Sequence, residues 1–389
     1  MKNIKNTVRL GAVVLGGLFT QSSYAVDLGE FGGTSVTLKG YIKFDAMASS
    51  YDSGSFSPNY IGRDFYVPSV TPVGGEDENT VLDMHARQSR FGIATKSEID
   101  GKTLSTYVEM DFMVTPNGDE RISNSYTPRM RHAFLSYGNW TYGQTWSTFM
   151  NVGALPESLD FIGNTEATVF VRQAQVRYTN GGFQFALENP ETLITPNGGG
   201  TRIVTDDNTL PDLVLRYNYS SENIAVTLAG LARQLEYNDA GADIDESTSA
   251  YGVSLSGAIK FGKDDLKFVL NTGSGMGRYV GLNIANDAVL DADGELEVID
   301  STGASLSYRH FWDEKWRSTI VYSMISIDND ADLTGSSVSK GSDSARVNLI
   351  YSPTPRLSLG GEISQATREL ESGDDGSMTR LQFSAKLSF

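Results

Sequence analysis

The closing stretch, Thr379 to Phe389, alternates without a break. Leu381, Phe383, Ala385, Leu387 and Phe389 are apolar, and Arg380, Gln382, Ser384, Lys386 and Ser388 are polar. Period two is the mark of a β-strand with one apolar and one polar face. Chain ends ordinarily fray, so a strand that keeps its pattern to the final Phe needs a partner along its whole length. The same alternation recurs upstream. Val36, Leu38, Ile42, Phe44 and Ala46 oppose Thr37, Lys39, Tyr41, Lys43 and Asp45. Thr106, Val108, Met110 and Phe112 oppose Tyr107, Glu109 and Asp111, and Ala345, Val347, Leu349 and Tyr351 oppose Arg346 and Asn348. No stretch of three turns shows a convincing helical period.

Tight turns punctuate the strands at Asp100-Gly101, Gly138-Asn139, Asn180-Gly181-Gly182, Ser220-Ser221-Glu222, Gly262-Lys263-Asp264, Trp312-Asp313-Glu314 and Ser352-Pro353-Thr354-Pro355. They recur roughly every 40 residues, the length of a hairpin plus one long connection. Between them lie long connections rich in Gly, Ser, Asn and Asp. Seven tight turns separate eight strand pairs and predict sixteen strands. Tight turns at one end, long loops at the other, an even count and strands of about ten residues describe an all-β fold, a sixteen-stranded antiparallel transmembrane β-barrel. In lipid every backbone amide needs a partner, and a closed sheet supplies one for each. The final strand must then pair with the first. The apolar phase faces lipid and the polar phase a water-filled lumen. One long connection, Gln144–Ala167, follows the fifth strand and breaks the regular pattern.

The N-terminus fits this destination. Lys2, Lys5 and Arg9 precede an apolar run from Leu10 to Phe19, followed by Ser23-Tyr24-Ala25. That is a Sec signal peptide, residues 1–25, too short in its apolar part to span a bilayer as a helix. The barrel domain is then residues 26–389. Cleavage removes three positive charges and takes the formal net charge from −17 to −20. Such acidity argues against a nucleic-acid partner. There is no cysteine, so neither disulfides nor thiolate metal sites enter.

"NWTYGQTWSTFMNVGALPESLDFIGN" (Asn139 to Asn164), followed by "VFVRQAQVRYT" (Val169 to Thr179), resembles the DcaP-like family of trimeric outer-membrane porins. "GYIKFDA" (Gly40 to Ala46) and "RQSRFG" (Arg87 to Gly92) are similar to the same family. The resemblance implies a homotrimer in a Gram-negative outer membrane, among lipid and lipopolysaccharide. It implies a third loop folded into each pore as a constriction, and uptake of small anionic solutes such as dicarboxylates. An alternating last strand ending in Phe389 also resembles the signal read by the outer-membrane assembly machinery.

Selectivity then belongs to the lumen phase. On the second strand Phe91 and Ile93 point out, leaving Arg90, Lys96 and Glu98 inside. On the fourth, Met130 and Phe134 set the outward phase, which places Arg129 and Arg131 inside and His132 outside. By resemblance to general porins, Arg90, Arg131 and Arg172 sit where a cluster of constriction arginines is expected. Arg172, however, counts onto the apolar phase with Ala174 and Val176 unless a bulge turns it. Otherwise Gln173, Gln175 and Arg177 are the lumen residues of that strand. Lys39 and Lys43 complete the candidate constriction. Arg346, Arg356, Arg380 and Lys386 are further lumen cations. Clustered guanidiniums repel one another, so they need carboxylates. Glu157 and Asp160 of the inserted loop are the expected partners, and a passing dicarboxylate could bridge the same forks. Rings of basic side chains are a route to anion selectivity. A general porin with little selectivity is the alternative reading, and a sugar channel the weaker one, since only Tyr41 and Tyr107 offer aromatic rings on the lumen phase.

Enzymes find little support. His85, His132 and His310 are scattered, no nucleophile–base constellation appears, and no metal or cofactor is expected. "DADGELE" and "DNDAD" lack the full spacing of a calcium loop and read as solvated loops. Trp140, Tyr142, Trp312 and Trp316 near tight turns read as the interfacial aromatic girdle.

Overall fold

The computed structural model describes residues 25–57, 60–75, 79–114 and 123–389. The expected signal peptide, apart from Ala25, lies outside them. Sixteen antiparallel strands close into a barrel. They are β1 (Thr34–Tyr51), β2 in two pieces (Asn79–His85 and Arg90–Ile99), β3 (Lys102–Asp111), β4 (Arg129–Tyr137), β5 (Trp140–Trp146), β6 (Arg172–Asn180), β7 (Phe183–Glu188) and β8 (Asp212–Ser220). Then follow β9 (Ile224–Asp239), β10 (Ile244–Phe261), β11 (Asp264–Ser274), β12 (Asp300–Phe311), β13 (Trp316–Asp328), β14 (Ser339–Tyr351), β15 (Leu357–Leu370) and β16 (Asp375–Ser388). Each strand pairs with its neighbour in sequence. The seam closes with β16 on β1, from Tyr41 opposite Ser388 to Tyr51 opposite Met378. No described helix is long and apolar enough to cross a membrane, and the strands supply the crossing.

The alternation sets the faces. On β1 and β16 Ile42, Phe44, Leu381, Phe383 and Leu387 are exposed outward, while Lys43, Asp45, Arg380 and Gln382 are buried inside. The terminal Phe389 is held at the seam. Its N–H donates to the carbonyl of Gly40 (3.1 Å), and its ring lies 5.9 Å from that of Phe91. Gly40 has φ +150°, and a Cβ there would sit 2.1 Å from the Arg90 carbonyl oxygen. Only glycine fits where the broken β2 and the last residue converge on β1.

Two features depart from the expected layout. A short strand, Ala25–Phe31, turns back through Gly32-Gly33 and pairs with the start of β1 along its β16-side edge, beyond the end of β16. Several strands also outrun ten residues. β9 and β10 have 16 and 18, and the connection between them is only residues 240–243. Long strands on one side raise the barrel wall above the long-loop end.

The interior is not a plain tube. L3 (residues 147–171) enters it, and so does L6 (residues 275–299). Phe149, Val169, Met276, Tyr279, Val280 and Ile299 pack against Val214, Leu231, Ile325 and Ile327 of the wall in one apolar cluster. Residues of L6 and L4 (residues 189–211) also build a four-stranded sheet at the long-loop end, with Thr192–Thr195 parallel to Ala288–Leu290. Arg233 fastens L6. Fully buried, it donates to Asp212 (3.2 Å) and Asp287 (2.7 Å). The β6–β13 side of the lumen is therefore largely filled.

Candidate functional site: the lumen at the third loop

On the opposite wall β2, β3 and β4 carry a ladder of alternating charge. Arg129 donates twice to Asp111, from Nε and Nη2 at 3.0 Å each. Arg131 bridges the two acids, Nη1 to Asp111 (2.8 Å) and Nε to Glu109 (2.7 Å). Arg90 lies 3.5 Å from Glu109 and its guanidinium sits 5.1 Å from the Tyr41 ring. The Phe161 ring of L3 approaches Arg129 and Arg131 at 6.0 and 5.7 Å. Arg90, Arg129 and Arg131 are thus brought together as the lumen phase requires.

A bulge builds the centre of this ladder. Glu109 pairs with His132 but Met110 pairs with Met130, so Arg131 is the extra residue. Arg131 and His132 consequently both point inward, and the phase beyond them inverts. This corrects the expectation that His132 and Phe134 face outward. The His132 ring is buried, with Nδ1 3.0 Å from Thr145 Oγ1, and Phe134 lies 6.0 Å from the lumen-facing Tyr107. Arg172 follows the regular count. Pairing of β5 with β6 is regular from Trp140–Tyr178 to Trp146–Arg172, so no bulge turns it. It abuts the end of the ladder, stacked on Trp146 (4.3 Å) and Phe170 (5.3 Å), with the same Trp146 ring 5.8 Å from Arg131. Gln173, Gln175 and Arg177 take the lumen phase instead.

The partners assigned to the L3 acids also change. Glu157 and Asp160 do not meet Arg90, Arg131 or Arg172. Glu157 accepts from Arg317 (2.6 and 2.7 Å) and Arg309 (3.1 Å). Burial opposes its ionisation, but these guanidiniums hold its carboxyl down at about 2. Asp160 accepts from the N–H groups of Tyr66 (3.0 Å), Ile162 (3.2 Å) and Gly163 (3.3 Å), with Arg346 3.7 Å away. The reason is the path of the loop, which runs past β11–β16 before it turns back.

Wall side chains define that path by gripping the L3 backbone. Arg216 donates to the carbonyls of Thr148 and Met150, and Arg177 to Thr148 Oγ1 (2.8 Å) and to the Trp146 carbonyl at the end of β5. Lys267 donates to Leu155 (2.6 Å), Asn348 to Glu157 (2.9 Å) and Lys43 to Leu159 (2.6 Å). Glu362 accepts from the N–H groups of Leu159 (2.9 Å) and Asp160 (3.3 Å). A loop inside a barrel cannot use sheet hydrogen bonds, and these side chains satisfy its buried backbone instead.

A model of the DcaP outer membrane protein family matches residues 34–389. The chain belongs to that family. Among solved structures it is similar to the outer membrane channel DcaP of Acinetobacter baumannii, at 21% identity over 94% of this chain and 100% of that one, with a TM-score of 0.77. An anion-selective porin from Comamonas acidovorans shares the fold at 13% identity, 92% and 100% coverage and a TM-score of 0.56. OmpT of Vibrio cholerae does so at 11%, 94%, 100% and 0.55. No curated protein matches the chain. It is an outer-membrane porin of a Gram-negative bacterium, with its tight turns on the periplasmic side.

In this DcaP-family porin the remaining candidates spread around the wall. Lys39 lies 5.8 Å from the Tyr107 ring. Lys43 is buried beside Asp45 (3.0 Å). Lys386 shares the Tyr41 ring with Arg90, at 5.6 Å. Arg380 is buried and donates to Ser49 (2.7 Å), Tyr51 (3.1 Å) and the Gly62 carbonyl (2.6 Å). Arg346 is buried, and Arg356 is exposed at the periplasmic rim. Sequence reasoning missed the roles of Glu109, Asp111, Glu362, Arg216, Lys267, Arg309 and Arg317. Glu109 and Asp111 were readable, since both share the polar phase of β3 with Tyr107. Arg216 and Lys267 carried no local signal, because what they hold is loop backbone.

Proposed function

We propose that this porin favours small anions, dicarboxylates among them, and works as a homotrimer in which β1–β5 supply the interface. The observation that carries the selectivity is the trio Arg177, Arg216 and Lys267. All three hold L3 by its backbone carbonyls or side-chain oxygens on the periplasmic side, and none makes an ion pair among the described residues. The ladder on the other wall adds three guanidiniums against two carboxylates. An anion crossing the level of L3 thus meets a surplus of positive charge, close enough to raise its local concentration and weak enough to release it. We also assign to the Phe389 strand the contact with the assembly machinery.

The test is the reversal potential of single channels in planar bilayers across a KCl gradient, followed by titration with succinate. Anion preference and succinate block are expected. Replacing Arg177, Arg216 and Lys267 together by Gln should move the reversal potential towards zero or beyond. A wild-type channel without preference or block leaves the general-porin reading in its place.

A further inference from the structure

Glu166 lies on the return limb of L3, in the short helical turn Thr165–Ala167, and is fully buried. Among the described residues neither carboxylate oxygen has a well-aligned hydrogen bond, the nearest donors being the Tyr66 and Ser344 hydroxyls and its own N–H. The titratable and charged groups around it are Tyr66 from the connection between β1 and β2 and Arg346 from β14, with Asp160 of L3 and Glu362 of β15 on Arg346's other side at 3.7 Å each. Ser344 of β14 adds a hydroxyl. The β12, β13 and L6 backbones approach with Gly303, Ser323 and Gly281.

Three carboxyl groups therefore share one guanidinium. Two have amide donors of their own. Asp160 takes three backbone N–H groups, and Glu362 takes two plus Ser158 Oγ (2.9 Å) and Asn348 Nδ2 (3.1 Å). Glu166 has only its own N–H and two hydroxyls nearby, none well aligned. A buried carboxylate short of donors is disfavoured, while the neutral acid is tolerated. Of the three, Glu166 is the least able to hold its charge.

We propose that Glu166 is a proton-binding site that seats the return limb of L3, and that its ionisation loosens the limb and changes conduction. The limb is pressed onto the wall at this point. The Ala167 N–H donates to Ser323 Oγ (3.2 Å), Asn271 donates to the Ala167 carbonyl (2.6 Å), and a Cβ on Gly303 would lie 3.1 Å from both Ala167 Cα and the Glu166 carbonyl oxygen. Water cannot reach an ionised Glu166 unless this contact opens. Burial pushes its pKa above the ordinary carboxylate value, against the opposing charge of Arg346. The inference goes beyond the selectivity proposed above and holds whichever ion the pore prefers.

The experiment is single-channel recording of wild type and Glu166→Gln from about pH 4 to pH 9, with hydrogen exchange at residues 165–168 as a second readout. In wild type, conductance or open-state fluctuation should change at least twofold as pH rises. Protection of the limb should fall by more than the base-catalysed increase of free amides. Glu166→Gln, neutral and of equal size, should hold the low-pH behaviour throughout. A flat wild-type profile in both readouts, or a Glu166→Gln channel that keeps the wild-type profile, overturns the proposal.

Discussion

Glu157 of L3 and Arg317 of β13 form a two-pronged pair, Oε1 to Nη2 at 2.6 Å and Oε2 to Nε at 2.7 Å. Paired hydrogen bonds between two ions are the strong kind, and this pair pins the loop where it crosses from β12 to β14. Glu157→Gln should lower the stability of the folded barrel by roughly 2–3 kcal/mol, seen as an earlier heat-induced mobility shift in detergent gels. The pH dependence has a definite sign. The folded carboxyl titrates at about 2, below the ordinary 4.5. Its contribution is complete above about 4.5 and disappears as pH falls from there through 2. Wild type and Glu157→Gln should therefore differ at pH 7 and converge near pH 2. A gap that persists at pH 2 would show that the side chain acts by packing.

Arg131 is 2% exposed and its two carboxylate partners are buried with it. Arg131→Ala leaves Glu109 and Asp111 short of positive charge, an error that costs about 3–5 kcal/mol at a buried ion pair. Arg129→Ala should cost less, because its side chain is 24% exposed and Asp111 keeps Arg131. Both should shift the reversal potential towards cations. Equal thermal stability of the two variants would contradict the ladder as described.

Arg233 ties L6 to the wall through Asp212 and Asp287, and Asp287 also accepts from the N–H groups of Leu193 (2.9 Å) and Arg278 (3.0 Å). Arg233→Ala strands two buried carboxylates. Limited proteolysis of intact, membrane-inserted protein should then cut within residues 275–299, a segment that wild type protects. Unchanged resistance would mean that the apolar contacts of Tyr279, Val280 and Val289 hold the loop without the ion pairs.

Gly40→Val places a branched side chain against the Arg90 carbonyl and the Phe389 ring, and should abolish the heat-modifiable folded form. Gly361→Ala is the control. A Cβ at Gly361 meets nothing within 4 Å, so that variant should fold as wild type. A folded Gly40→Val barrel would refute the close approach at the seam.

Much of the barrel was legible in the residue order. Strand faces depend on near neighbours, so alternation placed Lys43, Arg90, Arg129, Arg346 and Arg380 on the inner wall without reference to anything distant. Turn chemistry located all seven tight turns, and the need to pair the Phe389 strand implied closure. The inner acids of β3 were visible in the same way, though their pairing with Arg131 was not.

What escaped was whatever depends on one extra residue or on a loop path. The bulge at Arg131 inverts the parity of His132 and Phe134, and no local composition announces it. The partners of Glu157 and Asp160 depend on where L3 runs, and that route is chosen by side chains more than a hundred residues away, such as Lys267, Arg317 and Glu362. Period two is a local property of the backbone, written into each strand. The meeting of L3 with its wall is a long-range balance between buried backbone groups and the charges that satisfy them, and it exists only once the barrel has closed.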